Sequence, residues 1–247
     1  MTAILCFDVG SASLKVSGYA REGRSVRRVF AGGQDAVDDA DRATIRHDDE
    51  AEGAVRAEGA TGDDGPKRWD GIVRAPALGA RGAWRRGRRG HRIVHGGERT
   101  DPAHLTDALV DEPTALAPRA PMRQNADLAP ARLLRREASD LAQVAVLDTA
   151  FHATMPGLAR AMPRPEGALR GLQRHGFHGL SCRSLARRLS RLGPAPVRVM
   201  AAHLSGGTSV CAMRDGRSVD ASMGATPPGG VMMGSRWARS IRARSFT

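Results

Sequence analysis

Lysine is nearly absent from this chain. Lys15 and Lys67 are its only lysines, so a formal net charge of +12 rests almost wholly on arginine. Aromatic residues are scarce too, at 4% with a single tyrosine, Tyr19. Basic residues cluster at Arg81–Arg92 and Arg236–Arg244, and Trp84 and Trp237 are the only aromatics within those clusters. A single-stranded nucleic-acid platform needs bases stacked on successive aromatics along a basic groove. Nucleic acid is therefore not the expected partner, and a basic nucleic-acid-binding module argued from charge alone is the least favoured reading. A phosphate-rich substrate accounts for part of the charge equally well. Cysteine is limited to Cys6, Cys182 and Cys211. They are odd in number and widely spaced, which gives neither a metal pattern nor a disulfide framework and suits a reducing compartment. The N-terminal MTAILCFDVG has no basic n-region, and its apolar run is too short for a signal peptide. No window approaches the roughly 20 apolar residues of a membrane span. The expected location is cytoplasmic, with no membrane partner.

What is present is a chain of 247 residues with 41% hydrophobic content, enough for one large domain or two small ones. Its most organised stretch is Val197–Arg236. A mostly apolar run, Val197–Ala202, reaches His203, and a Gly/Ser loop follows. A second apolar run, Val210–Met213, turns back through Asp215-Gly216. Asp-Gly between two strand-like runs signals a hairpin, and the small-residue loop before it offers the backbone N–H groups of an anion cradle. FDVGSASLKVSGY at the N-terminus repeats this plan of strand, one polar residue, small-residue loop and strand. Two such units suggest duplicated α/β domains with two phosphate loops.

Between them the signals vary in strength. Asp35–Glu58 is acidic and alanine-rich, favouring a helix in its middle without a clean period. Thr61–Pro66 is a turn, and Arg81–Gly90 reads as a solvated basic loop. His91–Gly97 is a short strand closing on two glycines. Pro102, Pro113, Pro118 and Pro121 mark loops and helix starts. Ala131–Ala138 is predicted helical with Pro130 at its start. Val144–Leu147 is a buried-type strand running into Asp148. Arg174–Gly179 is a loop. Ser181 caps a helix through Leu192 with Leu185, Leu189 and Leu192 on one face, and Gly193-Pro194 ends it.

Five motifs in order carry a family resemblance: CFDVGSASLK, GHRIVHGGE, VAVLDTAFHATMP, RHGFHGLSCR and HLSGGTSVCAMRDGRSVDASMGATPPGGVMMGSR. With these the chain resembles the acetate kinases, within the acetate/propionate/butyrate kinase group of the actin-like sugar-kinase/heat-shock-protein superfamily. The resemblance covers residues 4–19 and about 91–236. It implies an actin-like (ribonuclease H-like) α/β fold made of duplicated domains. The implied reaction is reversible phosphoryl transfer from ATP to acetate or another short carboxylate, giving ADP and an acyl phosphate, with Mg2+ as cofactor. A homodimer is implied as well. Such chemistry calls for a cationic clamp on the phosphoryl group, a metal on the nucleotide and a small acyl pocket.

Residue by residue, the resemblance makes Arg92 the carboxylate-binding arginine, a role suited to a bidentate guanidinium. Val94, Phe177 and Pro227 match the acyl-pocket walls, though each alone would read as ordinary core. Asp148 matches the catalytic aspartate, expected to orient substrate, accept a proton or hold Mg2+ through water. His178 and Arg236 match the residues that stabilise the transferring phosphoryl group. Asp8 falls at the metal position, Ser11, Ser13 and Lys15 at N-terminal phosphate positions, and His203, Leu204, Ser205, Gly206 and Gly207 at the ATP-phosphate loop.

The chain departs from the pattern in several places. Asp8 stands where the family has Asn, and Ala12 replaces a Ser. Ser205 and Gly206 replace Gly and Asn, Leu180 and Cys182 replace Thr and His, and Gly229 replaces Glu. Arg119, Ala120 and Pro121 replace Leu, His and Asn, which alters one pocket wall. After Arg236 the family continues Ser-Gly-Asp, whereas this chain reads Trp237–Thr247, and a reading two bases later restores Gly-Ala-Ile-Asp-Pro-Gly with suitable codons. The expectation is a frameshift-truncated chain. Its domains are an N-terminal one at 1–150, the start of a second, nucleotide-side one at 151–236, and a non-family tail at 237–247. The second domain and the dimer interface would be incomplete. A catalytically inactive remnant of the family is the alternative function, and a propionate or butyrate kinase the second alternative.

Overall fold

A computed structural model describes residues 2–10, 13–23, 25–35, 44–47, 87–111, 121–162, 172–194 and 197–233. The chain forms two compact units, Met1–Ile93 with Pro102–Val146, and Val94–Asp101 with Leu147–Thr247. The chain thus crosses to the second unit after Val146, and the short segment Val94–Asp101 belongs there as well.

The first unit is built on a seven-stranded sheet. Its strands are β1 (Thr2–Val9), β2 (Ser13–Glu22), β3 (Ser25–Asp35), β4 (Thr44–His47), β5 (Arg88–Ile93), β6 (Ala103–His104) and β7 (Gln143–Leu147), in the order β4-β3-β2-β1-β5-β7-β6. Alternation along β1 buries Ala3, Leu5, Phe7 and Val9, and leaves Ile4, Cys6 and Asp8 half-buried on the other face. β1 pairs antiparallel with β2, placing Asp8 opposite Lys15, and parallel with β5, placing Phe7 opposite His91. Helix α1 (Asp107–Asp111) precedes helix α2 (Pro121–Glu137). Leu133 and Leu134 of α2 close a core with Leu5, Phe7, Val9, Leu14, Val16 and Phe30.

Three expectations are corrected in this unit. Thr44–His47 is a strand paired with β3 rather than part of a helix, because the β1–β3 meander extends outward to take it. Arg88–Gly90 is strand rather than solvated loop: pairing with β1 fixes the alternation, so Arg89, His91 and Ile93 all face inward. Arg89 donates from Nη1 to the Gly87 carbonyl at 2.6 Å, and burial lowers its pKa against an opposing effect from Asp140. Finally, α2 begins at Pro121, with Pro130 inside it. Pro121 suits a first helical turn. Leu128, Ala131 and Leu134 are fully buried at a three-residue spacing, and their packing carries the helix through the N–H lost at Pro130.

The second unit carries a three-stranded antiparallel sheet, β10-β9-β8, made of β8 (Arg198–Leu204), β9 (Thr208–Arg214) and β10 (Arg217–Ala221). Asp215 and Gly216 turn the second hairpin with φ of 50° and 73°, the left-handed pair of a primed turn. A 3-10 turn (Ala150–Thr154) and the short helix α3 (Gly157–Arg160) follow β7. Helix α4 (Gly179–Leu192) packs against the sheet through a cluster of Phe151, Cys182, Ala201, Cys211 and Met213, with Ala186 and Val199 alongside. The helix starts two residues before Ser181, with His178 at the N-cap position. Its inward stripe is Cys182 and Ala186, while Leu185 and Leu192 are exposed, which corrects the expected leucine face. No helix among the described residues is long and apolar enough to cross a membrane.

His91 supplies a test of the first unit. Its ring is fully buried, stacks on Phe7 with centroids 5.0 Å apart, and neither ring nitrogen meets hydrogen-bond geometry. Burial, together with the nearby Arg89 charge, lowers its pKa to about 4 despite Gln143 alongside. The unfolded chain therefore binds the extra proton first as pH falls. Stability should be fully present above about pH 6.5 and decline toward pH 4, by about 3 kcal/mol from this ring alone. Urea midpoints across that range should show the slope, and His91→Gln should flatten it. An unchanged slope in the variant would exclude this origin.

Candidate functional site

The second unit centres on Asp148, the residue after β7, which is buried. Its side chain meets the N-terminus of α4. His178 N–H donates to Oδ2 at 3.0 Å, and Leu180 N–H donates to Oδ1 at 3.2 Å. Between them, Gly179 N–H donates to the Asp148 backbone carbonyl at 2.9 Å. Three helix-terminal N–H groups are thereby satisfied by one residue from outside the helix, and the carboxylate sits at the positive end of the helix dipole. Only glycine fits at 179, since a Cβ there would lie 2.2 Å from the Asp148 carbonyl oxygen.

This cap holds His178 in the left-handed region, φ 57° and ψ 27°, a conformation costly for a residue with a side chain. The His178 ring is fixed on two further sides. Its Nδ1 lies 2.9 Å from Ser209 Oγ, and its face stacks on His203 with centroids 4.0 Å apart and planes at 21°. His203 in turn lies between two hydroxyls, with Nδ1 3.1 Å from Ser181 Oγ and Nε2 3.2 Å from Ser205 Oγ. Ser205 O–H donates to the Gly207 carbonyl, so His203 Nε2–H donates to Ser205. The loop Ser205–Gly207 is thus tied to the two histidines. A Cβ on Gly207 would come within 3.4 Å of His178 Cε1 and Nε2, so that edge of the ring lies against the loop.

His152, which is buried, holds the segment just before His178. His152 Nε2 lies 2.9 Å from the Phe177 carbonyl, which accepts only, so Nε2 carries the proton. In the neutral ring Nδ1 then accepts from Ser218 O–H at 2.9 Å. Cys211 Sγ lies 3.5 Å from Ser218 Oγ. A hydrogen bond with Cys211, and then burial, raise the pKa of Cys182 above the ordinary thiol range. Val94 and Phe177 pack with Met223, all three buried, and the rings of His95 and His175 meet edge to face at 4.5 Å beside them. Pro227 is half-buried in the Gly224–Gly230 turn region. Glu98 holds Arg160 at 3.4 Å and accepts from Gln173, next to a polar cavity of about 70 Å3 lined in part by Thr149, Arg160 and His175.

In the first unit, Asp8, Lys15 and Arg92 come together at the ends of β1, β2 and β5. Arg92 Nη1 donates to Asp8 Oδ1 at 2.8 Å, and Lys15 is Asp8's cross-strand neighbour. Ser13 begins β2 and its carbonyl accepts from Gly10 N–H at 2.6 Å. Ser11, Arg119 and Arg236 lie outside the described residues.

Of the motif residues in the second unit, the structure brings His178 and His203 to the loop Ser205–Gly207, Asp148 to the backbone of His178, and Val94 with Phe177 into one apolar cluster. Motif reading did not single out Ser209 or Met223, and Ser181, expected as a helix cap, instead lies inside the helix with its hydroxyl on His203. The period of two along β9 supplies the missing signal for Ser209, because it shares an inward face with Cys211 and Met213.

The fold is the actin-like α/β fold of solved acetate and propionate kinases. The propionate kinase of Francisella tularensis superposes with a TM-score of 0.79 at 24% identity, over 98% of this chain and 62% of that one. The acetate kinase of Porphyromonas gingivalis gives 0.76 at 24% identity, over 98% and 62%. In sequence, the acetate kinase of Deinococcus radiodurans is 42% identical over 153 residues, 60% of this chain and 38% of that one. The acetate kinase of a Synechococcus species is 44% identical over 152 residues, with the same shares. The chain spans about two fifths of the length of these curated relatives. The sequence profile of the acetokinase family matches residues 87–240, and the chain belongs to that family.

The close approach at Gly179 gives a direct prediction. Gly179→Ala must displace backbone, so it should destabilise the second unit by roughly 2–4 kcal/mol. Gly157→Ala, with nothing within 4 Å of its Cβ, should change stability by less than about 0.5 kcal/mol. Thermal unfolding of the two variants makes the comparison, and equal effects would contradict the packing described.

Proposed function

We propose that this chain carries the acceptor-binding and phosphoryl-stabilising residues of an acetate kinase-type phosphotransferase. The reaction is ATP plus acetate to ADP plus acetyl phosphate, reversibly, by direct transfer to the carboxylate. The observation that carries this reading is His178, held by backbone and ring with its Nε2 edge against the Ser205–Gly207 loop. A donor fixed beside a small-residue loop is what a developing phosphoryl charge requires. Family membership and the order of the five motifs support the same reading.

In this scheme the Arg92 guanidinium grips the acceptor carboxylate, and Val94, Phe177 and Pro227 set the acyl wall. Ser11, Ser13, Lys15 and the loop His203–Gly207 bind nucleotide phosphates, and Arg236 joins His178 on the transferring group. A carboxylate acceptor is already ionised near neutral pH, so no group need remove its proton. Asp148, whose two oxygens take backbone N–H groups, accordingly acts by holding the His178 segment rather than as a base.

Mg2+ binds hard oxygen donors, commonly one or two carboxylates together with phosphates and water. Asp8, half-exposed with a carboxylate at the ends of β1 and β2, fits that donor set. A single carboxylate in that place suits an ion that arrives with the nucleotide. Asp8 and the phosphates would hold it, and it would neutralise phosphate charge. A homodimer and a cytoplasmic setting belong to the same reading, the first testable by sedimentation of the purified chain.

A second reading is that the 247-residue chain is inactive by itself. It is favoured by β8, which among the described residues pairs only with β9, and whose Met200 and Leu204 are 72% and 76% exposed. Trapping acyl phosphate as hydroxamate decides between the two. Turnover with ATP, Mg2+ and acetate that falls about 100-fold or more in Arg92→Ala sinks the second reading. A well-folded chain without turnover sinks the first for this polypeptide. Asp8→Asn, which removes the carboxylate paired with Arg92, should lower the KM for acetate several-fold while weakening the response to Mg2+. A raised KM would contradict competition between Asp8 and substrate. Rates with acetate, propionate and butyrate set the acyl preference.

A further inference from the structure

We propose that Ser209 is a positioning residue that keeps His178 a hydrogen-bond donor at Nε2 in both of its charge states. The inference rests on the role given to His178 above. Ser209 is directly opposite His203 in the β8–β9 ladder. The residue that bonds the His178 ring and the residue that stacks on it therefore sit side by side on adjacent strands. Ser209 is buried, and its Oγ lies 2.9 Å from Nδ1.

A hydroxyl both donates and accepts, and this is what distinguishes Ser209 from other partners. When the imidazole is neutral, Ser209 O–H donates to the Nδ1 lone pair and the ring proton stays on Nε2. When the imidazole is cationic, Nδ1–H donates to Ser209 Oγ and Nε2 keeps its proton. A carbonyl or carboxylate in the same place could only accept. It would hold the proton on Nδ1 and leave Nε2 of the neutral ring bare. Phosphoryl oxygens only accept, so a bare Nε2 would face them as a repelling lone pair. A Cβ built on Gly207 would lie 3.4 Å from His178 Nε2, so this edge of the ring faces the Ser205–Gly207 loop. The Asp148 cap fixes the backbone of His178, His203 fixes the plane of its ring, and Ser209 fixes which nitrogen carries the proton.

Side-chain 15N–1H correlation spectra of the full chain read this directly, above and below the imidazole titration. The neutral His178 ring should show a protonated Nε2 and an unprotonated Nδ1 as a single pattern. In Ser209→Ala the two nitrogens should move toward the averaged positions of exchanging tautomers, and Ser209→Thr should restore the pattern. If Ser209→Ala fails to fold, Ser209→Cys, a weaker donor of similar size, should give an intermediate pattern. A wild-type neutral ring protonated at Nδ1, or a pattern unchanged in the alanine or cysteine variant, overturns the proposal. The readout needs no turnover, so an inactive chain would count against the kinase reading alone. Where turnover is measured, Ser209→Ala should lower kcat about tenfold and leave the KM for acetate unchanged.

Discussion

The interaction on which the second unit depends is the Asp148 carboxylate at the N-terminus of α4. Hydrogen bonds to a charged acceptor contribute about 1.5–3 kcal/mol each, and a helix dipole adds up to about 2 kcal/mol when partly buried. That exceeds the cost of holding His178 in a left-handed conformation, on the order of 1–2 kcal/mol. The local strain is thus sustained by a contact 30 residues back in the chain. Once the helix start is fixed, Cys182 and Ala186 face the sheet, Ser181 reaches His203, and the His178 ring falls between Ser209 and the Ser205–Gly207 loop. Chemistry at the loop and stability of the helix therefore share one carboxylate.

The same hairpin plan appears twice with different surroundings. β1 runs between an antiparallel β2 and a parallel β5, and Ala3, Leu5, Phe7 and Val9 are buried along it. β8 begins an equivalent meander but among the described residues forms the edge of its sheet, with Met200 and Leu204 exposed. In the first unit the hairpin ends in an acidic-basic group, Asp8 with Arg92 and Lys15. In the second it ends in a histidine-serine hydrogen-bond network. Each is a phosphate- or carboxylate-binding chemistry in principle, one through charge and one through directed hydrogen bonds.

Much of this was legible in the sequence where chemistry is local. The Asp215-Gly216 turn, the alternation of β1 and β9, and the buried strand ending at Asp148 follow from turn geometry and period. The family motifs located His178 and His203. What could not be read locally was set by distant partners. Arg89 is drawn inside because β5 pairs with β1, and a basic run gives no sign of that. α2 passes through Pro130 because its leucines pack on the sheet. The inward face of α4 is Cys182 and Ala186 because Asp148 decides where the helix begins, and the leucine spacing alone favoured another face. Ser209 was hidden because its importance lies in a ring it meets across 31 residues.

The central claim is that the Asp148 carboxylate, through paired backbone N–H groups, holds the His178 segment. Amide hydrogen exchange in Asp148→Asn tests it most directly, since the amide keeps one acceptor oxygen and turns an N–H toward the other backbone donor. Exchange at His178 and Leu180 should accelerate by about tenfold to a hundredfold, the equivalent of roughly 1.5–3 kcal/mol, while amides of β1 and β2 keep their protection. Unchanged exchange at both positions would contradict the claim.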